Sequence, residues 1–422
     1  MPPANHRSEN ITEPVPDTNR SFKQTFSSLR STNFMYLWLG MLAMMSGMHM
    51  QMVARGYLVY EITNSASILG LVSAASSVPI LVLSLIGGEI ADRMNRKKVM
   101  LLSQLLNSLT AILVSVAIFT NTVEWYHLLA ASVFQGATWA FLMPARQALI
   151  PSLVGQSQLS NAIALNAAGM SATTLIAPTI AGILYSVLGS GFVYAVIGVL
   201  TIMASVLTSM VKVEEPENKT ATNRAMTSNI GEGISYVMHN RLVLVLIVIG
   251  LATSLLAMPI RFLMPVLVVD IYRMGPESLG LLLSFMGIGS LAGTLYIAWV
   301  GKWHRGGTLI LGTLASGIAL ILLAILPFYA AAVAIMLLLG LGDAARRALN
   351  TALIMEATDN EYRGRVMSIF MMNFGFMPLG ILPIGIMADA VGSQASVGLL
   401  GILIVLFTVF IFATQKQLRG IQ

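Results

Sequence analysis

The chain has 422 residues, of which 56% are hydrophobic and 10% are charged, and its mean hydropathy is +0.80. Soluble proteins carry about 25% charged residues, so this composition excludes a soluble globular domain and predicts an integral membrane protein. The chain has no cysteine, which excludes disulfides, thiolate chemistry and a Cys-based metal site. The net charge is +6, but the basic residues follow the pattern of membrane topology rather than one patch, so we predict no nucleic-acid partner.

Long apolar stretches alternate with short polar breaks along the chain, and one membrane-spanning helix needs about 20 apolar residues. Continuous apolar stretches indicate helices rather than the alternating strands of a barrel. We therefore predict an all-α integral membrane protein with twelve transmembrane helices in the lipid bilayer. These are expected to begin near Phe34, Ala66, Val99, Trp125, Gln158, Phe192, Arg241, Ser278, Thr308, Ala330, Glu361 and Ser396.

Positive charge predicts the orientation of these spans, because short loops rich in Lys and Arg stay in the cytoplasm. With both termini inside, the cytoplasmic tails and loops hold eighteen of the 24 Lys and Arg residues, whereas Arg273 alone lies outside. The polar residues 1–32 lack the apolar core of a signal peptide. We therefore expect a multi-pass protein of the inner (cytoplasmic) cell membrane with both termini in the cytoplasm.

The sequence divides into two similar halves. The polar segment 212–229 lies at the midpoint and predicts a cytoplasmic linker between two pseudo-symmetric six-helix bundles. Residues 136–150 match residues 340–354, and Leu188-Gly189-Ser190 matches Val391-Gly392-Ser393 at almost the same offset. We therefore predict an N-terminal tail, an N-terminal bundle, the linker, a C-terminal bundle and a C-terminal tail, with boundaries 1–32, 33–211, 212–229, 230–415 and 416–422.

The loop between the second and third predicted spans reads GEIADRMNRKK at 88–98. It resembles the loop between helices 2 and 3 of major facilitator superfamily transporters, usually written G-x-L-A-D-R-x-G-R-[KR]. Ile90 replaces Leu, and Asn95 replaces a Gly whose left-handed backbone Asn also tolerates. The resemblance implies two bundles that rock around a central cavity by alternating access. It assigns gating roles in this loop to Gly88, Asp92, Arg93 and Arg96.

Two spans extend the resemblance. The fifth contains APTIAG at 177–182, similar to the G-P-x-x-G-G of exporters in the superfamily, where Pro178 bends the helix and Gly182 allows close packing as part of the gate. Generic packing of small residues is the alternative reading. In the fourth span, residues 129–136 match the L-x-x-R-x-x-Q-G of proton-coupled drug exporters, with Ser132 where that pattern has arginine.

Further segments are similar to the branch that contains macrolide and siderophore exporters. They are PARQAL at 144–149, GLGDAARR at 340–347, NTA at 350–352 and YRGRVM at 362–367. The resemblance covers nearly all of residues 33–415 and implies the export of bulky amphipathic small molecules. In such transporters the loop aspartate approaches the start of the eleventh helix, where Thr358 to Glu361 predict a capping box. We therefore also place Arg146, Arg363 and Arg365 at the gate.

Asp343 lies about twelve residues, or roughly 18 Å, from either end of the tenth span, close to the bilayer midplane. An ionisable group at that depth is costly and indicates a functional site. Arg346 and Arg347 follow on the same helical face. A structural ion pair is the alternative interpretation, although one carboxylate does not neutralise two guanidinium groups. We predict that Asp343 couples transport to protons.

The remaining candidate residues are expected to line the substrate cavity. Flexible methionines suit a wall that accepts varied apolar ligands, although ordinary packing also explains them, and Arg55 and Arg146 can instead reach toward the membrane surface. The arginine excess within the spans predicts ligands with an acidic or catecholate-like group. The predicted cavity residues are Arg55, Met45, Met48, Met52, Gln135, Trp139, Arg261, Arg346, Arg347 and Asn350.

We predict a monomeric secondary transporter that exports drug-like or siderophore-like compounds in exchange for H⁺. The arginines would bind an acidic group of these compounds. Transport of lysophospholipids or another lipid is the alternative function. A membrane-embedded enzyme is disfavoured because no span carries a catalytic His/Asp/Glu cluster and no ATP-binding loop is present, and a receptor because no signalling domain is present. The five histidines are scattered, so we expect neither a metal ion nor another cofactor.

Overall fold

The computed structural model describes residues 27–83, 95–212, 226–300 and 305–415. Every regular element in these ranges is helical. After a short turn at Ser27–Arg30, the N-terminal half contains α1 (Thr32–Thr63), α2 (Ala66–Ala74, continuing at 77–83), α3 (Arg96–Phe119), α4 (Trp125–Leu153), α5 (Gln156–Leu188) and α6 (Ser190–Met210).

The C-terminal half begins with α7 (Met226–His239), whose first residues fall within the segment predicted as the linker. Its second helix, α8, has two α-helical segments and a wider final turn, Arg241–Ala257, Ile260–Val266 and Leu267–Ile271. The remaining helices are α9 (Pro276–Val300), α10 (Arg305–Ile325), α11 (Tyr329–Ala357), α12 (Arg363–Met371), α13 (Pro378–Val391) and α14 (Ser393–Thr414).

Ten helices of the described chain are long and apolar enough to cross a membrane, namely α2 to α6, α8 to α11 and α14. The two other predicted spans correspond to α1 and to α12 with α13. The 32 residues of α1 include Gly, Ser, His, Gln and Arg, and half of them are buried against other helices. The eleventh predicted span is interrupted by a turn at Met372–Phe374 and restarts at Pro378, so that α13 alone has 14 residues.

Polar residues at helix ends explain why the helices begin within a few residues of the predicted positions. Ser31, Ser65 and Asn240 cap α1, α2 and α8 by accepting backbone N–H groups at 3.4, 3.3 and 3.2 Å. Asn95 does not adopt the left-handed backbone that it would tolerate; it has φ −62° and accepts the Lys98 N–H at 3.0 Å as the cap of α3.

Consecutive membrane helices run in opposite directions, so their ends lie on two faces. The terminal face carries the start of α1 and the end of α14, and here Lys97 at the start of α3 donates to the Ser209 carbonyl at the end of α6, at 2.6 Å. The distal face carries the turns at 63–66, 188–190 and 391–393.

Equivalent glycines in the two halves have equivalent geometry. Gly189 and Gly392 have φ +84° and +91° and join α5 to α6 and α13 to α14. A Cβ on Gly136 would lie 2.0 Å from the Ser76 carbonyl oxygen of α2, and a Cβ on Gly340 would lie 2.0 Å from the Met286 carbonyl oxygen of α9. Both positions therefore require glycine because two helix backbones touch there.

The two halves also pack on each other reciprocally. A Cβ on Gly182 in α5 would lie 2.5 Å from the Pro276 carbonyl oxygen at the start of α9, and one on Gly385 in α13 would lie 2.6 Å from the Ala66 carbonyl oxygen at the start of α2. Gly280 of α9 approaches Pro178 of α5 in the same way. Backbone contact along these two seams joins the halves near the distal face.

We expect Gly340→Ala to destabilise the protein, because the new methyl group has no room against the Met286 carbonyl. Overpacking of this kind costs about 1–3 kcal/mol. Gly307→Ala is the matched control, since no atom lies within 4 Å of its Cβ position. Thermal unfolding of both purified variants checks the prediction, and equal melting temperatures would contradict the packing at Gly340.

Candidate functional site

Asp343 on α11 lies among three guanidinium groups. Its carboxylate contacts Arg346 at 2.5 Å, Arg347 at 3.2 Å and Arg261 of α8 at 3.2 Å. Helical spacing places the first two on the same face, whereas Arg261 reaches the carboxylate from the neighbouring helix. With all four groups ionised the cluster has a net charge of +2, so its positive charge exceeds what Asp343 balances.

The three arginines of this cluster differ in exposure. The Arg346 side chain is 2% exposed and also donates to the Thr253 hydroxyl of α8. The side chains of Arg261 and Arg347 are 23% and 37% exposed. Arg346 is therefore the buried partner of Asp343. The side chains of Arg261 and Arg347 remain partly accessible.

Arg261 belongs to the short second segment of α8, which contacts the N-terminal half. Pro259 and Pro265 remove backbone donors on either side of Arg261, and the helix is interrupted at the first of them. The same segment meets α1 where Pro265 lies 3.1 Å from the Cβ position of Gly56. The contact between Asp343 and Arg261 thus fixes the segment of α8 that touches the other half.

A small enclosed cavity lies between the two halves at this level. Met52 and Arg55 of α1 and Arg261 of α8 line it, together with Gly56, Leu69, Ser73, Phe262, Pro265, Leu279 and Leu283. Its volume is about 10 Å³, the space of one water molecule. Predicted site residues from both halves therefore meet here, and the cavity is closed to a bulky ligand in this conformation.

Arg55 is held by neutral groups. It donates to Gln135 Oε1 of α4 at 2.7 Å, and Gln135 donates to Gln51 Oε1 at 2.6 Å. Arg55 is 9% exposed, so it does not extend to the membrane surface, and no carboxylate of the described residues pairs with it. The buried Ser132 donates to the Leu128 carbonyl. The guanidinium that the exporter pattern places on the fourth span comes here from α1.

The methionines of α1 face two different places. Met52 lines the cavity between the halves, whereas Met45 lines a second pocket inside the N-terminal half. Met48 and Trp139 are half-buried. The methionines of α1 were predicted to form one wall that accepts ligands, but they are divided between the interior of the N-terminal half and the central cavity.

Asn350 lies one turn beyond Arg346 on α11 and is 1% exposed. Among the described residues, its Oδ1 and Nδ2 atoms have no hydrogen-bond partner, and neither has the Nδ2 of the buried Asn373. Both amides crowd Gly250 of α8, whose Cβ position is 2.8 Å from Asn350 Nδ2 and 3.2 Å from Asn373 Nδ2. Asn350 thus packs with Asn373 against α8, and it is not among the residues that line the central cavity.

Two hydrogen-bonded contacts close the distal face, and the sequence analysis assigned neither a role. The Asp389 carboxylate of α13 accepts from the Ala66 and Ser67 N–H groups at 2.7 and 2.9 Å and from the Ser65 hydroxyl at 2.8 Å, so it caps α2. Tyr60 of α1 donates to Asp270 of α8 at 2.6 Å. The sequence shows acidic residues near the ends of two spans, but it does not identify the groups to which these residues bond.

The predicted gate residues are only partly described. Gly88, Asp92 and Arg93 lie outside the described residues, and Arg96 opens α3. Pro178 and Gly182 lie on the seam between α5 and α9.

Both arginines of the segment 362–367 contact their own half. Arg363 donates through Nε to the Met355 and Thr358 carbonyls at the end of α11, at 2.8 and 3.2 Å. Arg365 pairs with Glu232 of α7 at 2.9 Å. They thereby anchor α12 at the terminal face.

The predicted capping box before α12 is wrong. The helix begins at Arg363, and no side chain caps it. Asp359 instead accepts from the Tyr236 hydroxyl at 3.1 Å, which joins the start of this segment to α7.

Arg146 is 7% exposed, so its side chain is buried among helices instead of extending into solvent. It lies inside the N-terminal half and donates to the Met41 sulfur and to Asn166 Oδ1 of α5. Because these partners belong to the same half, the structure places Arg146 away from the contact between the halves.

Comparison with known proteins gives relatives that are named as efflux proteins or transporters. Macrolide efflux protein A of Streptococcus pyogenes is 26% identical over 383 residues, which are 88% of this chain and 93% of that protein. Multidrug efflux pump Tap of Mycolicibacterium fortuitum is 26% identical, with 83% and 88% covered. Staphyloferrin A transporter of Staphylococcus aureus is 24% identical, with 87% and 92% covered.

The fold is also that of a known transporter. The crystal structure of a mutant of the nucleoside transporter NupG superposes with a TM-score of 0.77 at 12% identity, covering 91% of this chain and 100% of that one. A family model described as transmembrane secretion effector matches residues 23–421. The chain therefore belongs to the transmembrane secretion effector family of the major facilitator superfamily of transporters.

Proposed function

We propose that this transporter exports bulky amphipathic small molecules, drug-like or siderophore-like, from the cytoplasm in exchange for protons. In this proposal it is a monomer of the inner membrane, its terminal face is cytoplasmic, and twelve spans form two six-helix bundles. The efflux functions named for its relatives support the direction of transport. The observation that carries the proposal is the cationic cluster at Asp343, one arginine of which lines the cavity between the halves.

Alternating access requires a contact that opens on one side while the other side closes. The hydrogen bonds between the halves in the described structure join the distal ends at Tyr60 and Asp270 and at Asp389 and α2, or lie deeper at Thr179 and Ser284. A substrate bound from the cytoplasm would have to break the distal contacts to leave. These contacts therefore act as the outer gate in our proposal.

Asp343 and its arginines provide a lock for this movement. While Asp343 is ionised it holds Arg261, and through Arg261 the α8 segment that touches α1 at Gly56. Breaking a buried pair by neutralising one partner costs about 3–5 kcal/mol. A proton that reaches Asp343 from one side of the membrane breaks its ion pair with Arg261. A substrate group that binds Arg261 from the other side breaks the same ion pair. The empty, unprotonated protein stays closed, as exchange requires.

The charge of the cavity indicates which substrate group would take the arginines. Arg261, Arg346 and Arg347 share one carboxylate, and Arg55 donates to the amide of Gln135. Guanidinium groups bind carboxylates bidentately and stack on aromatic rings. We therefore propose that substrates carry an acidic or catecholate-like group, which Arg261 and Arg347 bind while Met52 contacts the apolar part.

Transport in proteoliposomes tests the proposed function. A panel of macrolides, other drugs and carboxylate siderophores is first screened by growth of an efflux-deficient host with and without the protein. For a compound to which the protein confers resistance, we expect proteoliposomes with wild type to accumulate the compound against its concentration gradient when an opposing pH gradient is imposed.

Asp343→Asn removes the charge that forms the lock, so we expect downhill movement without uphill accumulation. Asp359→Asn, the matched change at the terminal face, should keep both. Uphill transport by Asp343→Asn would contradict the coupling role, and the lack of any exported compound would contradict the proposed function itself.

Matched anionic and cationic amphiphiles test the proposed substrate charge. We expect wild type to prefer the anion, and Arg261→Gln and Arg347→Gln each to weaken its binding about tenfold or more, because hydrogen bonds to charged groups contribute about 1.5–3 kcal/mol. Arg365→Gln is the control, since Arg365 pairs with Glu232 on the surface. Equilibrium binding to purified protein measures this, and a preference of wild type for the cation would overturn the idea.

The outer gate predicts that Asp389→Asn favours opening at the distal face. Loss of the carboxylate weakens three hydrogen bonds to α2, and a change of about 1–2 kcal/mol is a factor of roughly 5–30 in population. A single cysteine in place of Ser73, which lines the central cavity, should then react correspondingly faster with an impermeant maleimide outside intact cells. An unchanged rate would remove Asp389 from the gate.

A further inference from the structure

A second enclosed pocket lies inside the N-terminal half and shares no lining residue with the cavity between the halves. Its volume is about 10 Å³, which again is the space of one small occupant. Helices α1, α3, α4 and α6 enclose it. Its lining consists of Leu37, Met41, Met44, Met45, Met100, Gln104, Leu142, Met143, Arg146 and Thr208.

Arg146 carries a full positive charge into this pocket without a counterion. It is 7% exposed, and its contacts are the sulfur of Met41 and the amide oxygen of Asn166. Its Nε–H group has no acceptor. Among the described residues no carboxylate lies within ion-pair distance of it. A buried unpaired charge costs several kcal/mol, so this guanidinium requires a negative partner that the described residues do not supply.

Two further polar side chains of the pocket are incompletely paired. Gln104 is 3% exposed and Thr208 is 1% exposed, and the side-chain oxygen of each has no hydrogen-bond partner among the described residues. A hydroxyl group donates as well as accepts, and a side-chain amide presents either its NH₂ or its oxygen after a flip of the group. Arg146, Gln104 and Thr208 can therefore supply three donors to one occupant from three helices.

We propose that this pocket binds a small monovalent anion, with chloride as the physiological occupant. A water molecule would accept the same hydrogen bonds but leave the charge of Arg146 uncompensated. The methionines that make up half of the lining are flexible and polarizable, so they adjust to an ion slightly larger than water. The pocket has room for about one water molecule, so it takes a monatomic ion once the methionines adjust, and it is too small for sulfate, gluconate and any amphipathic substrate.

Thermal unfolding at constant ionic strength tests the site. Purified wild type is measured in sodium gluconate with increasing amounts of chloride, nitrate or sulfate. We expect chloride to raise the melting temperature with a saturable dependence, because an ion that binds only the folded state stabilises it, and the larger nitrate to act only at higher concentration. Sulfate should have no saturable effect. Equal melting temperatures in chloride and gluconate would overturn the proposal.

Variants show whether the effect belongs to this pocket. Arg146→Met replaces the charge by an apolar side chain of similar length, which buried sites commonly tolerate, and should remove the response to chloride. Thr208→Val and Gln104→Leu should each weaken the apparent chloride affinity at least tenfold. The exposed Arg30 provides the control Arg30→Gln, which should respond as wild type does. A chloride response that persists in Arg146→Met contradicts the assignment, whatever the result of any transport assay.

Discussion

Excess positive charge in the membrane interior is the constraint on which the site depends. Five guanidinium groups lie in the interior of the described spans, away from the first residues of the helices, and Asp343 is the one deep carboxylate that meets any of them. Arg346 is the enclosed partner of this carboxylate, Arg261 and Arg347 are partly exposed, and Arg55 and Arg146 have neutral partners. Charge in low dielectric must be paired, hydrated or met by a ligand. We therefore propose anionic ligands at two separate places.

The helix breaks connect this charge to movement. Pro259 ends the first segment of α8, and in our proposal the residues that follow, from Arg261 to Asp270, move together without unwinding the rest of the helix. That segment pairs with Asp343 on one side and contacts Gly56 and Tyr60 of α1 on the other. A change in the charge of Asp343 is thereby transmitted to the contact between the halves through packed groups.

Much of the fold could be predicted from hydrophobicity, because the length of an apolar stretch indicates a membrane span. The Gly-Ser turns at 189–190 and 392–393 indicated that the two halves repeat. The candidate site was less accessible to sequence reasoning. Local spacing placed Arg346 and Arg347 beside Asp343, but Arg261 reaches it from another helix, and Gln135 bonds to Arg55 rather than to an arginine of its own span. The division of the α1 methionines between two pockets and the capping of α2 by Asp389 depend on how the helices pack together. Helical periodicity does not predict that packing.

The central claim is that ionised Asp343 keeps the protein closed at its distal face. Because the chain lacks cysteine, spin labels can be placed at the exposed positions Thr122 and Phe328 on opposite halves of that face, and pulsed electron paramagnetic resonance measures the distance between them. Our account predicts one short distance at neutral pH without substrate, and a second, longer one on acidification, on addition of an exported compound, or in Asp343→Asn under all conditions. A distribution that stays the same in all three cases would contradict it.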